Sequence, residues 1–450
     1  MKMHNKKRGF TIVELVIVIA VIAILSAVLI PTFAGVVKKS RQSADETAVR
    51  NMNTILAADG AVEPTTLEDL YSVLAENGID AEDYKPLQND TFFFWDSEQN
   101  VILYADENYN VTYPADQVEN TNKAAWVSLS GTIKEVKLNT VDIEDGVAKV
   151  DSAEEFIAVV NAINEEKGAV KDLEKIVLPE GDLWFMGANV SINGEKSTHQ
   201  LWTELTIESV GTETVLNGIV NLGVLREGYQ NGAGLTRDYY TSLIGMTKNT
   251  TVTFRNITLK DCTFASDTAV MASAFVGHAE GGSVTLANCD MENVTVKGMM
   301  KVGAYVGQLS SGAKLTINPD CSAENVKVQA SVGFVGRLIG LAINTQDKNG
   351  DAPVNPVIAQ QAEGRFKDTI SAELVKDSRV EYITIENRGE YGLDMNVVNG
   401  ELKAPAADKK EYAATVAEYG WVAVNDDETG VPYNSGVVTL KYKKVAELTF

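Results

Sequence analysis

Between Leu15 and Val37 the chain carries no charged residue. Read as a helix rising about 1.5 Å per residue, that stretch is long enough to cross a bilayer. Lys2, Lys6, Lys7 and Arg8 precede it, and Lys38, Lys39 and Arg41 follow it. Charge asymmetry therefore gives only mild support for a cytoplasmic N-terminus. One acid, Glu14, stands where the membrane would begin. An intramembrane carboxylate costs about 2.5–3.5 kcal/mol on insertion scales, so it needs a partner.

The residues ahead of the span read Gly9-Phe10-Thr11-Ile12-Val13-Glu14. A secretory signal peptide would place small residues after its apolar region, whereas here the glycine precedes it. An ordinary signal anchor is the plainer alternative, but it needs neither Gly before Phe nor a buried Glu. The basic leader, the glycine and the Phe-Thr-x-x-Glu opening of an apolar helix resemble type IV prepilins and the related pseudopilins, specifically over residues 1–60. That resemblance implies cleavage between Gly9 and Phe10 by prepilin peptidase, followed by N-methylation of Phe10. It also implies subunit assembly through Phe10 and Glu14. The new ammonium of one subunit would pair with the Glu14 carboxylate of its neighbour, so that two charges costly alone become tolerable together. Implied partners are prepilin peptidase, other pilin subunits and the inner-membrane pilus or secretion assembly machinery. The implied location is a single-pass membrane precursor with a cytoplasmic N-terminus, maturing at the cell surface or in an extracellular filament.

Residues 1–9 then read as a leader and 10–60 as one helix of about 70 Å. Its transmembrane part is Leu15 to Val37, and its second half is amphipathic, with Val37, Ala44, Ala48, Met52 and Ile55 or Leu56 at helical spacing. Pro31 removes a backbone donor and leaves the Ala27 carbonyl without its usual partner, so a helix kink is expected there. Its place matches the proline that pilins carry early in the mature helix. Asp59-Gly60 ends the helix. Residues 61–114 read as a small α+β head: a helix from about Thr66 to Asn77 with Thr65 or Thr66 as N-cap, then strands at Thr91–Trp95, Val101–Tyr104 and Asn110–Tyr113. Residues 115–145 read as a connector.

Residues 146–345 open with a capping box, Ser152-x-x-Glu155, and a helix whose apolar face is Phe156, Val159, Val160 and Ile163. Short strands are expected at Ile176–Leu178, Leu183–Phe185, Val190–Ile192, Leu205–Ile207 and Val215–Val220. Three triplet series then repeat. Val252-Thr253-Phe254, Val284-Thr285-Leu286 and Leu315-Thr316-Ile317 recur at 32 and 31 residues. Cys262-Thr263-Phe264, Val294-Thr295-Val296 and Val326-Lys327-Val328 recur at 32 and 32. Phe275-Val276-Gly277, Tyr305-Val306-Gly307 and Phe334-Val335-Gly336 recur at 30 and 29. Shared periods mean a unit stacking on copies of itself. This resembles a right-handed parallel β-helix, with a Greek-key sandwich as the alternative. Residues 346–450 read as a β-rich region. Val380–Ile385 and Leu393–Val398 are late coils or a new sheet, Glu411–Tyr419 is a short helix, and Val437–Tyr442 and Val445–Phe450 are terminal strands. The fold class is thus mainly β behind a long N-terminal α-helix.

Net charge is -23, and losing the four basic leader residues takes the mature chain to about -27. Such a balance suits a self-repelling extracellular domain and excludes nucleic acid as an expected partner. The three cysteines, Cys262, Cys289 and Cys321, are not spaced as a zinc site. Cys289 and Cys321 lie 32 residues apart in equivalent places, so buried thiols or an inter-coil disulfide are both open. His199 and His278 read as surface or turn histidines. Asp347–Asp351 and Asp426–Glu428 read as solvated acidic turns, short of a calcium loop. Asn249, Asn256 and Asn293 open Asn-x-Thr sequons. No catalytic set, metal site or cofactor motif is expected, and the chain reads as a non-enzyme. The leading function is a structural subunit, minor or tip-located, of a pilus-like or pseudopilus filament. The alternative is an adhesin with a glycan or host-surface ligand, stacking sugars on Trp184, Trp202, Tyr229, Tyr239 or Tyr240. A polysaccharide lyase or hydrolase is the third reading; it would need a basic residue near grouped carboxylates on one coil, and Arg226, Arg237 and Arg255 are present without a pattern tying them to acids.

Overall fold

The computed structural model describes chiefly residues 12–58, 63–165, 173–192, 203–222 and, with short gaps, 224–342, and isolated segments beyond. Contacts divide the chain into two compact units, Met1–Thr121 and Asn122–Phe450.

In the first unit, helix α1 spans Ile12–Leu56 and α2 spans Leu67–Glu76. Strands β1 (Phe92–Asp96), β2 (Val101–Ala105) and β3 (Val111–Tyr113) come next, antiparallel, in the order β3-β2-β1. The acidic loops between them are turns made by their own carboxylates. Asp96 Oδ1 accepts the N–H groups of Glu98 and Gln99 at 3.1 and 2.9 Å, and Asp106 Oδ1 accepts those of Asn108 and Asn110 at 2.9 Å each. The buried stripe of α1 is Asp45, Val49, Met52 and Leu56. Val37 and Ala44, expected on that stripe, are exposed, and Ala48 is only half-buried. The contact surface lies one helical step away, because Asn53 and Asp45 take polar places within it.

Those two polar residues tie the helix to backbone. Asn53 Nδ2 donates to Ile102 O at 2.9 Å, and Asn53 Oδ1 accepts Ile102 N–H at 2.6 Å. Its carboxamide stands in for a paired strand where the short β3 no longer reaches. Asp45 accepts the N–H groups of Leu87 and Gln88 at 2.7 and 3.0 Å and the Tyr104 hydroxyl at 3.3 Å.

The second unit is a parallel β-solenoid of about five turns. One face stacks Lys175–Leu178, Glu204–Ser209, Thr251–Lys260, Ser283–Glu292 and Lys314–Ile317. A second stacks Val220–Asn221, Thr263–Ala265, Thr295–Gly298, Val326–Ala330 and Ile370–Leu374. A third stacks Ile244–Lys248, Val276–Glu280, Val306–Ser310 and Ile339–Ala342. Short parallel pairs at Thr236–Thr241, Met271–Ala272, Lys301–Gly303 and Phe334–Gly336 run between the last two. Parallel pairing throughout these faces is incompatible with a Greek-key sandwich.

The first two triplet series align as their periods require: Val252 on Val284 on Leu315, and Thr263 on Thr295 on Lys327. The third is corrected. Val306 pairs with Ile339, while Phe334-Val335-Gly336 lies against Lys301-Val302-Gly303. The reason is a file of close contacts. A Cβ on Gly277, Gly307 or Gly340 would lie 2.6–2.7 Å from the carbonyl oxygen of Gly245, Gly277 or Gly307 respectively, so Gly340 and not Gly336 continues the series. Inside the coils Val252, Phe254, Val284 and Leu286 are fully buried, and Phe254, Phe275, Tyr305 and Phe366 make successive ring contacts at 5.0, 5.8 and 5.7 Å.

Helix α3 (Ala153–Asn164) connects Val147–Lys149 to Lys175–Leu178, which pair parallel, and buries the expected Phe156, Val159, Val160 and Ile163. Ser152 Oγ accepts Glu155 N–H at 3.2 Å, while Glu155 Oε2 accepts Asp151 N–H at 2.8 Å, one residue before the expected reciprocal bond. Beyond residue 342, Met395–Val398 pairs antiparallel with Ile339–Ala342, and Tyr382–Arg388 joins Val437–Lys444 and Trp421–Val424 in an antiparallel sheet. Glu411–Tyr419 and Val445–Phe450 lie outside the described residues.

Candidate functional site

The first half of α1 is the segment whose surroundings the protein does not supply. From Leu15 to Val37 its described large apolar side chains are exposed, among them Leu15 at 54%, Ile24 at 67% and Phe33 at 66%. By length and composition the helix can cross a membrane, and none of its most apolar window is buried inside the protein. The exposure ends where charge begins: after Lys38 the helix reaches Asp45, Val49 and Met52, which are 2% exposed or less. A single helix thus carries a lipid-compatible half and a half embedded in a folded head.

The helix is continuous through Pro31. Gly9 and Phe10 lie outside the described residues, as does the side chain of Glu14, whose backbone belongs to the first turns of α1. Prokaryotic N-terminal methylation motif is the family that matches, over residues 4–30. The chain carries a prepilin-type methylation motif. Motif, exposed apolar helix and small antiparallel sheet together fit a pilus or pseudopilus subunit with a membrane-anchored precursor. The motif implies processing by prepilin peptidase and assembly with pilin subunits. No solved structure matches the chain.

A shallow cleft of about 520 Å³ lies where α1 meets the end of β3, lined by Arg50, Asn53, Thr54, Ala57, Ala58, Tyr113 and Pro114. Arg50 Nε donates to the Tyr113 hydroxyl at 3.1 Å, and its guanidinium stands 5.8 Å from that ring's centre. The contact holds the last strand against the helix.

The remaining sequence candidates fall elsewhere. His278 is not in a turn. It lies in Val276–Glu280, is 9% exposed, and its Nε2 is 2.9 Å from Ser310 Oγ. Burial, with Lys301 and Lys248 nearby, pushes it down to about 3, so it is neutral near pH 7. His199 lies outside the described residues, as do Asp347–Asp351 and Asp426–Glu428. Among the described residues no group of three or more His, Cys, Asp or Glu could hold a metal. Arg255 is tied to Glu208 at 3.3 Å, and Glu208 also takes Lys175 at 2.9 Å. Tyr240 is core, fully buried with its hydroxyl on Met246 Sδ at 3.2 Å. Trp184 is half-buried on a strand, Trp202 lies outside the described residues, and the side chains of Arg226, Tyr229, Arg237 and Tyr239 are not described.

The sequons have a structural explanation. Asn249, Asn256 and Asn293 have φ of 52°, 57° and 56°, the left-handed region that asparagine tolerates. The carboxamides of Asn256 and Asn293 join corner ladders: Asn288 Nδ2 to Asn256 Oδ1 at 3.1 Å, Asn293 Nδ2 to Asp261 Oδ1 at 2.9 Å, and Asn325 Nδ2 to Asn293 Oδ1 at 2.8 Å. In Asn256-Ile257-Thr258 and Asn293-Val294-Thr295 the second residue points into the core, so a coil corner reads like a sequon. The signal that distinguishes them is the 32-residue spacing of Asp261, Asn293 and Asn325.

Proposed function

We propose that the chain is a structural, non-catalytic subunit of a pilus-like or pseudopilus filament, minor or tip-located, that holds a large β-solenoid outside the cell. The observation that carries this reading is the two-natured helix behind the methylation motif: exposed and apolar up to Val37, embedded in a small head from Asp45 onward. The bulk of the solenoid and the charge of the chain favour a rare subunit. A mature chain near -27 would crowd and repel identical neighbours packed along a shaft. Immunogold microscopy with antibody against residues 146–345 tests this on cells and on sheared filaments. Sparse label at filament tips is expected. Regular label along the shaft would overturn the minor role, and label confined to the envelope would overturn the filament role.

Adhesion is the second reading, and one surface feature favours it. Thr206, Thr253, Thr285 and Thr316 stand in a single outward file on the first solenoid face, each half-buried or exposed. A neutral strip of hydroxyls on an acidic protein suits a glycan or host-surface ligand better than a charged one. A glycan array probed with the full chain and with Thr253→Lys would show signal lost in the variant.

A further inference from the structure

We propose that Cys289 and Cys321 form a disulfide between successive coils during oxidative folding, while Cys262 stays a thiol. Met291 pairs with Ala323, and counting two places back from that rung sets Cys289 against Cys321 in the next coil. The strands that flank this stretch run about 4.8 Å apart, so the two coils lie within the range of Cα separations that a disulfide spans. Cys289 N–H donates to Cys321 Sγ at 3.4 Å, which already puts one sulfur against the other residue's backbone. Both are free thiols, 0% and 4% exposed.

The local ladder leaves room for the bond. Leu286 pairs with Ile317, but Met291 pairs with Ala323, so the later coil holds one extra residue between these rungs. Side chains bridge that gap instead of backbone. Asp320 Oδ1 accepts Asn288 N–H at 3.0 Å, and Asp290 Oδ1 accepts Ser322 N–H at 2.6 Å. The segment around Cys321 is therefore held by adjustable groups and can carry its sulfur the short way to that of Cys289. Cys262 has no such neighbour. It precedes Thr263, which stacks on Thr295 and Lys327, so its equivalents in the next coils are Val294 and Val326. All three sulfurs contact backbone carbonyls, that of Cys262 meeting Leu216 O at 3.3 Å and Lys260 O at 3.2 Å, so the missing neighbour is what sets Cys262 apart.

The oxidant is an external disulfide. A thiolate of the pair attacks one of its sulfurs, releasing one thiol and leaving a mixed disulfide. The second cysteine then displaces the other half as a thiol. The protein loses two S–H bonds and gains one S–S bond, and the reagent disulfide is reduced to two thiols. Burial pushes the folded Cys289 thiol up to about 12, so the exchange belongs to folding, before the coil closes over it. The compartment rests on the proposed function; the chemistry can be tested without it.

The full chain, reduced and unfolded, is refolded in mixed reduced and oxidised glutathione, then unfolded and alkylated with iodoacetamide. Non-reducing digestion and mass spectrometry are expected to give a peptide pair joining Cys289 to Cys321, with Cys262 alkylated. The cross-link should vanish in Cys289→Ser and Cys321→Ser and persist in Cys262→Ser. Alkylation of all three cysteines, or any linkage through Cys262, would overturn the proposal. The same digestion of chain extracted from its native envelope without reductant gives the same two answers where refolding yields are low. A filament role that fails by immunogold while the cross-link is found would separate the two conclusions.

Discussion

Strands β1 to β3 of the first unit and the coils of the second satisfy their backbones by different means. In the first unit single side chains close single gaps: Asn53 pairs with Ile102, and Asp45 holds Leu87 and Gln88. In the solenoid several solutions recur from coil to coil. Asn293 bonds Asp261 below and is bonded by Asn325 above, and Gly277, Gly307 and Gly340 form one file. A unique contact, once lost, exposes one pair of groups. A repeated contact, once lost, disturbs the coils on both sides, because each is the template for the next. Substitutions in the two regions should therefore differ in reach as well as in size.

The largest effect is expected from Phe254→Ala. Phe254 is fully buried and its ring centre lies 5.0 Å from that of Phe275. Removing a core aromatic costs about 3–5 kcal/mol. The loss should spread, lowering hydrogen-exchange protection in Val284–Leu286 as well as in its own strand. Protection lost in the Phe254 coil alone would show that coils unfold singly and break the contrast.

Gly307→Ala comes next. The added methyl would meet Gly277 O at 2.6 Å and Lys301 O at 3.0 Å, both backbone, so no flexible side chain can give way. Overpacking of this kind costs about 1–3 kcal/mol, and a backbone obstacle puts this site toward the upper end. Denaturant titration should show the loss. An unchanged midpoint would mean the coils slide apart freely at this file.

How much of this was legible depends on how far apart partners lie. The N-terminal motif is read from neighbours in sequence, and the β1–β2–β3 meander comes from alternation between acidic turns. The solenoid is legible because Val252, Val284 and Leu315 keep one period. The third series misaligns because an apolar-apolar-Gly triplet occurs twice in the last coil, at Phe334-Val335-Gly336 and at Leu338-Ile339-Gly340. Resemblance favours the first, whereas stacking under a carbonyl selects the second. Asn53 and Asp45 carry no such signal. Their partners are backbone groups, 49 and 42 residues away, that any sequence supplies. The buried position of His278 is hidden for a related reason: the glycine before it suggests a turn, but serves a close approach between strands.

Asn53→Ala sharpens the comparison from the other side. It leaves the N–H and C=O of Ile102 without their partner. An unsatisfied buried pair costs about 2 kcal/mol. The loss should stay local, with exchange protection at Ile102 disappearing while Val252 and Val284 are unaffected. Fluorescence of Trp95, buried in the neighbouring strand, is a second readout. A loss of solenoid protection in this variant would contradict the separate behaviour of the two regions.

The smallest effect is expected at α2, where the capping contact is unique and exposed. Thr66 Oγ accepts Asp69 N–H at 3.1 Å, and Asp69 Oδ2 accepts Thr66 N–H at 3.1 Å and the Thr65 hydroxyl at 2.8 Å. Thr66→Ala should cost about 1 kcal/mol. It should also change the response to acid. Burial, the largest single influence, pushes Asp69 up, but hydrogen bonds from Thr65 and Thr66 together outweigh it and hold the carboxyl below its ordinary value. A group depressed in the folded state contributes stability that is fully present above its unfolded value of about 3.9 and is lost as pH falls through the folded one. Stability of the native chain, followed through Trp95, should therefore fall in that acid window, and the fall should be shallower in Thr66→Ala. An identical acid slope in both proteins would show that the capping box does not set the carboxyl. A Thr66→Ser variant, which keeps the hydroxyl, should restore both the midpoint and the slope.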